Sequence, residues 1–233
     1  MPVELQTSSL PEVADEAGDK SAVTLRLLTS VHDNSAVTQR GLARELGVAL
    51  GIANATLRRC VEKGLIKVSQ APARRYAYYL TPRGFAEKSR LTAQYLTDSL
   101  KFFRLARKQC EVMLAECAAS GWRRVVFAGA GELAEIARLC ALDAGVELIA
   151  IIAPERQDRA YAGVPVEATL VSLALDAFDA VLITDVRAPQ ATFDVIAEAA
   201  RTIGLAEERV LAPKLLRISK APPSDLDGET SEP

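Results

Sequence analysis

Residues 81–120 read TPRGFAEKSRLTAQYLTDSLKFFRLARKQCEVMLAECAAS, and they separate two halves of different character. Thr81 followed by Pro82 is a helix-start pattern, because the hydroxyl can cap the helix and proline lacks only an N–H that would have no partner there. No further proline occurs before Gly121, so one helix is predicted over the whole stretch. At about 1.5 Å per residue this helix would be roughly 55 to 60 Å long. A helix of this length is expected to connect domains or to pair with another helix.

Two series of residues in this helix follow the spacing of a coiled-coil seam. They are Leu96, Phe103, Cys110 and Cys117 at every seventh position, and Ser99, Ala106 and Met113 three places later. We therefore expect a homodimer whose contact residues are Leu96, Phe103, Ala106, Cys110, Met113 and Cys117. The alternative is a single helix that lies against its own domains, because the seam is short and includes small residues.

Charge is distributed unequally along the chain, although the net charge is only −2. Residues 21–110 contain 16 Lys and Arg against 5 Asp and Glu, whereas residues 111–220 contain 11 against 16. A basic half of this kind is typical of proteins that bind a polyanion such as DNA. Residues 1–20 and 221–233 are acidic and polar, so a disordered arm and a disordered tail are predicted there.

The sequence contains no apolar run of the roughly 18 to 20 residues that a membrane span requires, and its acidic start lacks the layout of a signal peptide. We expect a cytoplasmic protein without a membrane partner. Its four cysteines, Cys60, Cys110, Cys117 and Cys140, do not have the spacing of metal ligands. They are predicted to be reduced and buried, and no metal site is predicted.

A helix-turn-helix is predicted within residues 37–68, VTQRGLARELGVALGIANATLRRCVEKGLIKV. Thr38 caps the first helix, Gly47 makes the turn, and the second helix runs from about Ala49 to Lys63. In this motif the second helix enters the major groove of DNA. A helical wheel predicts that its buried stripe consists of Leu50, Ala53, Leu57 and Val61.

A preceding helix from about Ser21 and a following hairpin from Leu65 to Leu80 complete the order of a winged helix over residues 21–80. The second helix turns small residues and two arginines away from its apolar stripe, which suits close approach to bases and phosphates. The predicted DNA-binding residues are Thr38, Gln39, Arg40, Gly51, Ile52, Ala55, Arg58, Arg59, Arg74 and Arg75. The alternative is a winged helix that contacts another protein.

Residues 121–220 have the pattern of a parallel sheet with helices. RVVFA at 124–128 predicts a buried strand, and GAGELAE at 129–135 predicts a glycine turn that opens a helix. A second strand at 147–152 completes a βαβ unit with the G-x-G-x-x-A arrangement of dinucleotide-binding domains. Later segments predict an edge turn at 163–166, a strand at 180–184, a helix at 189–203 and a short strand at 209–212.

Ligand contacts are predicted at the carboxyl edge of this sheet, where right-handed crossovers bring the strand ends together. The predicted ligand-binding residues are Gly129, Ala130, Gly131, Glu132, Leu133, Ala153, Glu155 and Thr184. A nucleotide-like ligand is expected, and NAD(H) and a nucleotide-sugar both remain open. Glu132 lies in the first turn of the predicted helix, where its carboxylate competes electrostatically with a bound phosphate. The alternative is a degenerate domain that serves only assembly.

Three resemblances to known families accompany these patterns. LGVALGIANATLRRCVEKGLIKV at 46–68 and YYLTPRGFAEKSRLT at 78–92 resemble MarR-type winged-helix regulators associated with exopolysaccharide gene clusters, although that family has a basic or polar residue at the position of Ile52. GAGELAE with the later GVPV resembles the nucleotide-binding domains that precede capsular-polysaccharide sugar epimerases, and related sugar acyltransferase domains. The order of a winged helix and then a Rossmann-like domain also resembles Rex-type repressors, which sense the ratio of NADH to NAD.

The sequence favours a regulator over an enzyme, because no tyrosine is followed four residues later by lysine and residues 111–220 contain no histidine. The predicted fold is an α+β winged helix, a long helix at 81–120 and an α/β Rossmann-like parallel-sheet domain at 121–220. The predicted function is a homodimeric transcriptional regulator that binds double-stranded DNA, senses a nucleotide or nucleotide-sugar and controls polysaccharide biosynthesis genes. The alternatives are an enzyme or accessory subunit of polysaccharide metabolism, a Rex-like NAD(H) sensor and a protein-binding adaptor.

Overall fold

The computed structural model describes residues 16–71, 75–161 and 163–220. The chain divides into two compact units, Met1–Leu100 and Lys101–Pro233, and each has its own hydrophobic core. The boundary falls inside one continuous helix. Three predicted features lie outside the described residues: residues 1–15 of the arm predicted at 1–20, Arg74 of the predicted wing, and the tail predicted at 221–233.

The first unit is a winged helix, as predicted. It contains the helices α1 (Glu16–Asp33), α2 (Gln39–Leu46) and α3 (Leu50–Glu62), followed by the antiparallel strands β1 (Ile66–Ala71) and β2 (Arg75–Leu80). Its core buries apolar residues from all of these elements, including Leu27, Leu42, Leu57, Ile66 and Tyr78. The helix α1 begins five residues before the predicted start at Ser21, so residues 16–20 are helical rather than part of an arm.

The turn between α2 and α3 forms where the sequence predicts it. The Thr38 side chain accepts a hydrogen bond from the Gly41 N–H at 3.0 Å and so caps the start of α2. Gly47 ends α2 in the left-handed conformation, with φ of 66°, which a glycine adopts without the steric cost of a Cβ. This turn sets the direction in which α3 leaves α2.

The long helix α4 (Pro82–Ala119) contains 38 residues and starts at the predicted Thr81-Pro82 pair. The Thr81 hydroxyl accepts a hydrogen bond from the Gly84 N–H at 3.0 Å and donates one to the Gly64 carbonyl oxygen at 2.7 Å. The Thr81 N–H also donates to the carbonyl oxygen of Leu65 at 3.0 Å. These bonds attach the start of α4 to the chain segment between α3 and β1.

The predicted coiled-coil seam is wrong for the second half of α4. Ala106 and Cys110 are buried in the core of their own unit, and Met113 packs partly against it. Cys117 is also buried, with 1% of its surface exposed. The fully buried positions are Ala106, Cys110, Leu114 and Cys117, a spacing of four, four and three residues that places one helix face against its own domain. Leu96 and Phe103, by contrast, are 55% and 37% exposed.

The second unit is an α/β domain built on a mostly parallel sheet. Its elements are β3 (Arg124–Ala128), α5 (Glu132–Ala144), β4 (Glu147–Ile152), β5 (Ala160–Tyr161), β6 (Val164–Glu167), β7 (Ala180–Ile183), α6 (Pro189–Ile203) and β8 (Val210–Leu211). The strands lie in the order β5-β6-β4-β3-β7-β8, and all neighbours are parallel except β5 and β6. The five parallel strands therefore have the Rossmann-like order 3-2-1-4-5.

The segment predicted as an edge turn at 163–166 is mostly a strand. Gly163 does turn the chain, with φ of 81°, but Val166 and Glu167 pair in parallel with Ile151 and Ile152 of β4. The local sequence contains glycine and proline, which indicate a turn. Pairing with the neighbouring strand makes β6 part of the sheet, and this pairing is a tertiary interaction.

Candidate nucleic-acid interface and candidate ligand edge

The helix α3 buries one face and leaves the predicted DNA-binding face exposed. Ala53, Thr56, Leu57 and Cys60 are buried, whereas Gly51, Ile52, Ala55, Arg58 and Arg59 are exposed. Two predictions for the apolar stripe need correction. Leu50 is 41% exposed, because the buried stripe of α3 begins one turn later, at Ala53. Val61 is only half-buried, and the neighbouring Cys60 occupies the buried position at the end of α3.

Arg58 and Arg59 supply the positive charge of this face. Neither guanidinium forms a salt bridge in the part of the chain that the structure describes, so both are available to an external anion. Arginine can bind phosphate oxygens or the two acceptors on a guanine edge. The face contains one carboxylate, that of Glu62, which is also exposed.

The other predicted DNA-binding residues that the structure describes lie at the start of α2 and at the start of β2. Thr38, Gln39 and Arg40 are exposed, but the Thr38 oxygen already accepts the capping hydrogen bond of α2. Arg75 begins β2, and its side chain is not among those described.

Sequence reasoning did not single out Asn54, which lies on the flank of α3. Its Oδ1 atom is buried and has no hydrogen-bond partner among the described residues. A buried amide oxygen without a donor is energetically unfavourable. The only sign of Asn54 in the sequence was that a polar residue occupies the flank of the predicted recognition helix.

The predicted ligand edge is organised around Gly129, which follows β3. Its N–H donates to the carbonyl oxygen of Ile152 at 2.9 Å, and its φ is 112°. Thr184 is buried, and its hydroxyl donates to the Gly129 carbonyl oxygen at 2.7 Å. Thr184 therefore braces the turn from the end of β7 rather than presenting its hydroxyl to a ligand, which corrects its predicted role.

Two further predicted ligand residues are also structural. Leu133 has no exposed surface and belongs to the core, so its side chain cannot contact a ligand. Ala153 is buried, and its N–H donates to the carbonyl oxygen of Glu167 at 3.0 Å. Gly131 caps α5 with open space where a Cβ would lie. Five of the predicted residues stay accessible: Gly129, Ala130 and Gly131 partly, and Glu132 and Glu155 fully.

The start of α5 is acidic and contacts a tyrosine that the sequence analysis did not assign to the site. Glu132 and Glu135 lie in the first turn, and the Tyr161 hydroxyl donates to Glu135 Oε1 at 2.5 Å. This hydrogen bond, together with burial, raises the pKa of the Tyr161 phenol above its ordinary value. The two carboxylates oppose the attraction that a helix N-terminus exerts on a phosphate.

Arg156 completes this cluster. Its guanidinium carbon lies 4.7 Å from the centre of the Tyr161 ring, and its Nη2 pairs with Asp158 at 2.7 Å. Its Nε atom is buried without a partner among the described residues. Arg156 and Tyr161 follow β4 in the chain, so sequence alone did not indicate that they would meet the first turn of α5.

The predicted burial of the cysteines is confirmed. All four cysteines are free and buried. Burial raises the pKa of the Cys110 thiol to about 12 and that of Cys117 to about 11. Within the described ranges, no group of three or more His, Cys, Asp or Glu side chains is placed to hold a metal ion. No helix in the same part of the chain combines the length and apolar character needed to cross a membrane.

Comparison with protein families supports the helix-turn-helix prediction. A family profile described as winged helix-turn-helix DNA-binding matches residues 21–67. The match covers most of α1, all of α2 and α3, and the start of β1. No curated protein matches the sequence.

Several solved structures resemble parts of the chain. MepR, a transcription regulator of the Staphylococcus aureus multidrug efflux pump MepA, is 23% identical with a TM-score of 0.32, over 36% of this chain and 62% of MepR. The zinc-dependent MarR family regulator AdcR is 21% identical with a TM-score of 0.31, over 45% of this chain and 68% of AdcR. Human N-acetylserotonin methyltransferase is 11% identical with a TM-score of 0.34, over 84% of this chain and 76% of the enzyme. The chain thus spans less than two thirds of MepR, and likenesses of this extent assign no activity to it.

Proposed function

We propose that this protein is a homodimeric transcriptional regulator that binds double-stranded DNA through α3. The observation that carries the proposal is the exposed face of α3, on which Arg58 and Arg59 stand beside small and apolar residues. Small residues permit close approach to the groove floor, and arginines bind phosphates and guanine edges. The matched helix-turn-helix profile supports the same conclusion.

The charge distribution supports DNA rather than protein as the partner of this unit. Residues 21–110 carry an excess of 11 basic over acidic residues, although the whole chain is slightly acidic. Binding of a basic surface to DNA releases counterions, so the affinity should fall steeply as salt rises. A winged helix that only contacts protein would lack this dependence.

We further propose that dimerisation uses the exposed apolar residues near the middle of α4. Tyr95, Leu96 and Leu100 are all more than half exposed. Leu96 and Leu100 are four residues apart and therefore lie on one helix face. A second copy covering this face would place two winged helices on one duplex, as a palindromic site requires.

The α/β unit is proposed to sense a nucleotide-like ligand at the turn that contains Gly129 and Gly131. The support is the Rossmann-like strand order, the left-handed Gly129 and the open space at Gly131. NAD(H) and a nucleotide-sugar remain the candidate ligands. Control of polysaccharide biosynthesis genes is the proposed context, and only the sequence resemblance supports it. We propose no catalytic step for the α/β unit.

A direct test measures binding of full-length protein to duplex DNA by fluorescence anisotropy over a range of salt concentrations. We expect Arg59→Ala to weaken binding to the preferred duplex about 10-fold or more, because one arginine contact is lost. Arg138→Ala, an exposed arginine on α5, is the matched control and should leave binding unchanged. Equal binding by the wild type and Arg59→Ala would refute the proposal that α3 is the helix that binds DNA.

The sensor part has a separate test. Mass spectrometry of small molecules that co-purify with the native protein would identify a bound nucleotide. The anisotropy titration is then repeated at saturating NADH, NAD or a nucleotide-sugar. A sensor must show a change in DNA affinity with one of them, because a ligand that binds both states equally shifts no equilibrium.

A further inference from the structure

The first two turns of α3 expose apolar side chains and almost no hydrogen-bonding groups. Ile52 is 52% exposed and Leu50 is 41% exposed, and Ala55 is also on the surface. Gly51 adds no side chain. The only polar side chains in these turns belong to Asn54, which is half-buried with an enclosed Oδ1, and to Thr56, which is buried.

The arginines lie farther along the same helix. Arg58 and Arg59 follow Ile52 by six and seven residues, about two helical turns. Ile52 and Arg59 therefore point to nearly the same side of α3. In a helix-turn-helix, the N-terminal residues of the second helix contact base edges, so the apolar part of α3 is the part that would meet the bases.

Of the four bases, only thymine offers an apolar group in the major groove, its C5-methyl. Isoleucine and alanine can bury that methyl, but they cannot form hydrogen bonds with guanine, cytosine or adenine. We propose that Ile52, assisted by Ala55, recognises thymine methyl groups, so that the protein selects sites with thymine opposite the start of α3. This inference rests on the proposed DNA-binding function and names what that surface reads.

The expected size of the effect follows from the burial of one methyl group. Removing one buried methyl should weaken binding about fourfold, which corresponds to about 0.8 kcal/mol. Two thymines per half-site, or two half-sites in a dimer, would multiply the effect. A difference of this size is measurable by competition with labelled DNA.

The test uses duplexes that full-length protein enriches from a random-sequence library. The enriched duplexes are amplified once with dTTP and once with dUTP, which changes only the C5-methyl group of each thymine. Single thymine-to-uracil replacements then locate the positions that matter. Each duplex is titrated with the wild type, with Ile52→Ala and with Leu142→Ala, whose leucine is exposed on α5. Circular dichroism checks that the variants are folded.

We expect the wild type and Leu142→Ala to bind the uracil duplex about fourfold or more weakly than the thymine duplex. Ile52→Ala should lose most of this difference, and the remainder measures the contribution of Ala55. If the wild type binds both equally, with strong salt dependence, the inference fails while the proposed DNA-binding function stands. A preference for thymine that is undiminished in Ile52→Ala would also overturn the role of Ile52. Absence of enrichment of any duplex would refute the proposed function and the inference with it.

Discussion

Gly129 packs directly against the backbone of Asp185, so that a Cβ at Gly129 would lie only 2.6 Å from the Asp185 Cα. The two residues follow β3 and β7, which are neighbours in the sheet. The Asp185 N–H also donates to the carbonyl oxygen of Ala128 at 3.0 Å. Glycine therefore serves two purposes here. It permits close contact between two strand ends, and it adopts the left-handed conformation of the turn. This contact fixes the ends of β3 and β7 against each other at the candidate ligand edge.

Replacement of Gly129 by alanine should therefore be much more harmful than replacement of Gly131. We expect Gly129→Ala to lower the free energy of unfolding by about 2 kcal/mol or more, through overlap with Asp185 and strain at positive φ. Gly131 has φ of −178° and open space at the Cβ position, so Gly131→Ala should be nearly neutral. Urea unfolding followed by the fluorescence of Trp122, the only tryptophan, measures both. Similar stabilities for the two variants would contradict this account.

The winged helix offers a comparable pair of glycines in the first turns of two helices. A Cβ at Gly84 would overlap the carbonyl oxygen of Leu65, whereas none of the described atoms lies within 4 Å of one at Gly51. We expect Gly84→Ala to destabilise this unit by about 1 to 3 kcal/mol and Gly51→Ala to stabilise it by about 0.5 kcal/mol. Hydrogen exchange of peptides from α3 and β1 reports the change. Equal exchange in the two variants would show that the Leu65 contact is unimportant.

Asp179 should contribute stability at neutral pH. Its Oδ1 accepts a hydrogen bond from Arg124 Nη2, and its Oδ2 accepts the N–H groups of Arg123 and Arg124, all at 2.9 Å. The hydrogen bond from the Arg124 side chain lowers the pKa of the Asp179 carboxyl. We expect Asp179→Asn to cost about 1 to 3 kcal/mol at pH 7.

The pH dependence of this cost has a defined sign. Because the folded-state pKa of Asp179 is lowered, the stabilisation is fully present above the unfolded pKa of about 3.9 and is lost as pH falls through the folded value. The difference in unfolding free energy between wild type and Asp179→Asn should be constant from pH 5 to 8. It should shrink below about pH 4. If the difference in unfolding free energy already shrinks between pH 7 and 6, a group other than the Asp179 carboxylate must cause the pH dependence.

The cysteines should be unreactive in the folded protein. Burial raises the pKa of all four thiols, to about 12 for Cys110 and about 11 for Cys117, so the reactive thiolate is scarce at pH 8. A chromogenic disulfide reagent at pH 8 should modify fewer than one thiol per native chain and all four in urea. Rapid modification of Cys110 in the native state, located by peptide mass spectrometry, would show that its burial is transient.

The proposed dimer depends on exposed residues of α4 rather than on its buried stripe. A double variant, Leu96→Ser with Leu100→Ser, should shift the protein from dimer to monomer in analytical ultracentrifugation, because it removes apolar surface that a second copy would cover. Leu139→Ser with Leu142→Ser, on the exposed part of α5, is the matched control. A dimer that survives the α4 changes and dissociates in the control would place the interface elsewhere.

The sequence by itself determined the features that depend on neighbouring residues in the chain. Thr81-Pro82 predicted the start of α4 because capping uses a residue three positions away. Gly47 predicted the turn before α3 because that turn depends only on the local backbone conformation of one residue. The helix Pro189–Ile203 was predicted with the same bounds, and the exposed face of α3 followed from helical periodicity.

The tertiary structure alone decided which surfaces meet. Periodicity showed that α4 has an apolar face at Ala106 and Cys110, but it could not show that the partner is this chain's own sheet domain rather than a second copy. The strand β6 and the contact between Glu135 and Tyr161 join residues that are distant in sequence. Such contacts depend on the path of the whole backbone and on competing ways to bury the same apolar surface. A local pattern records that a surface must be covered, and only the packed chain specifies what covers it.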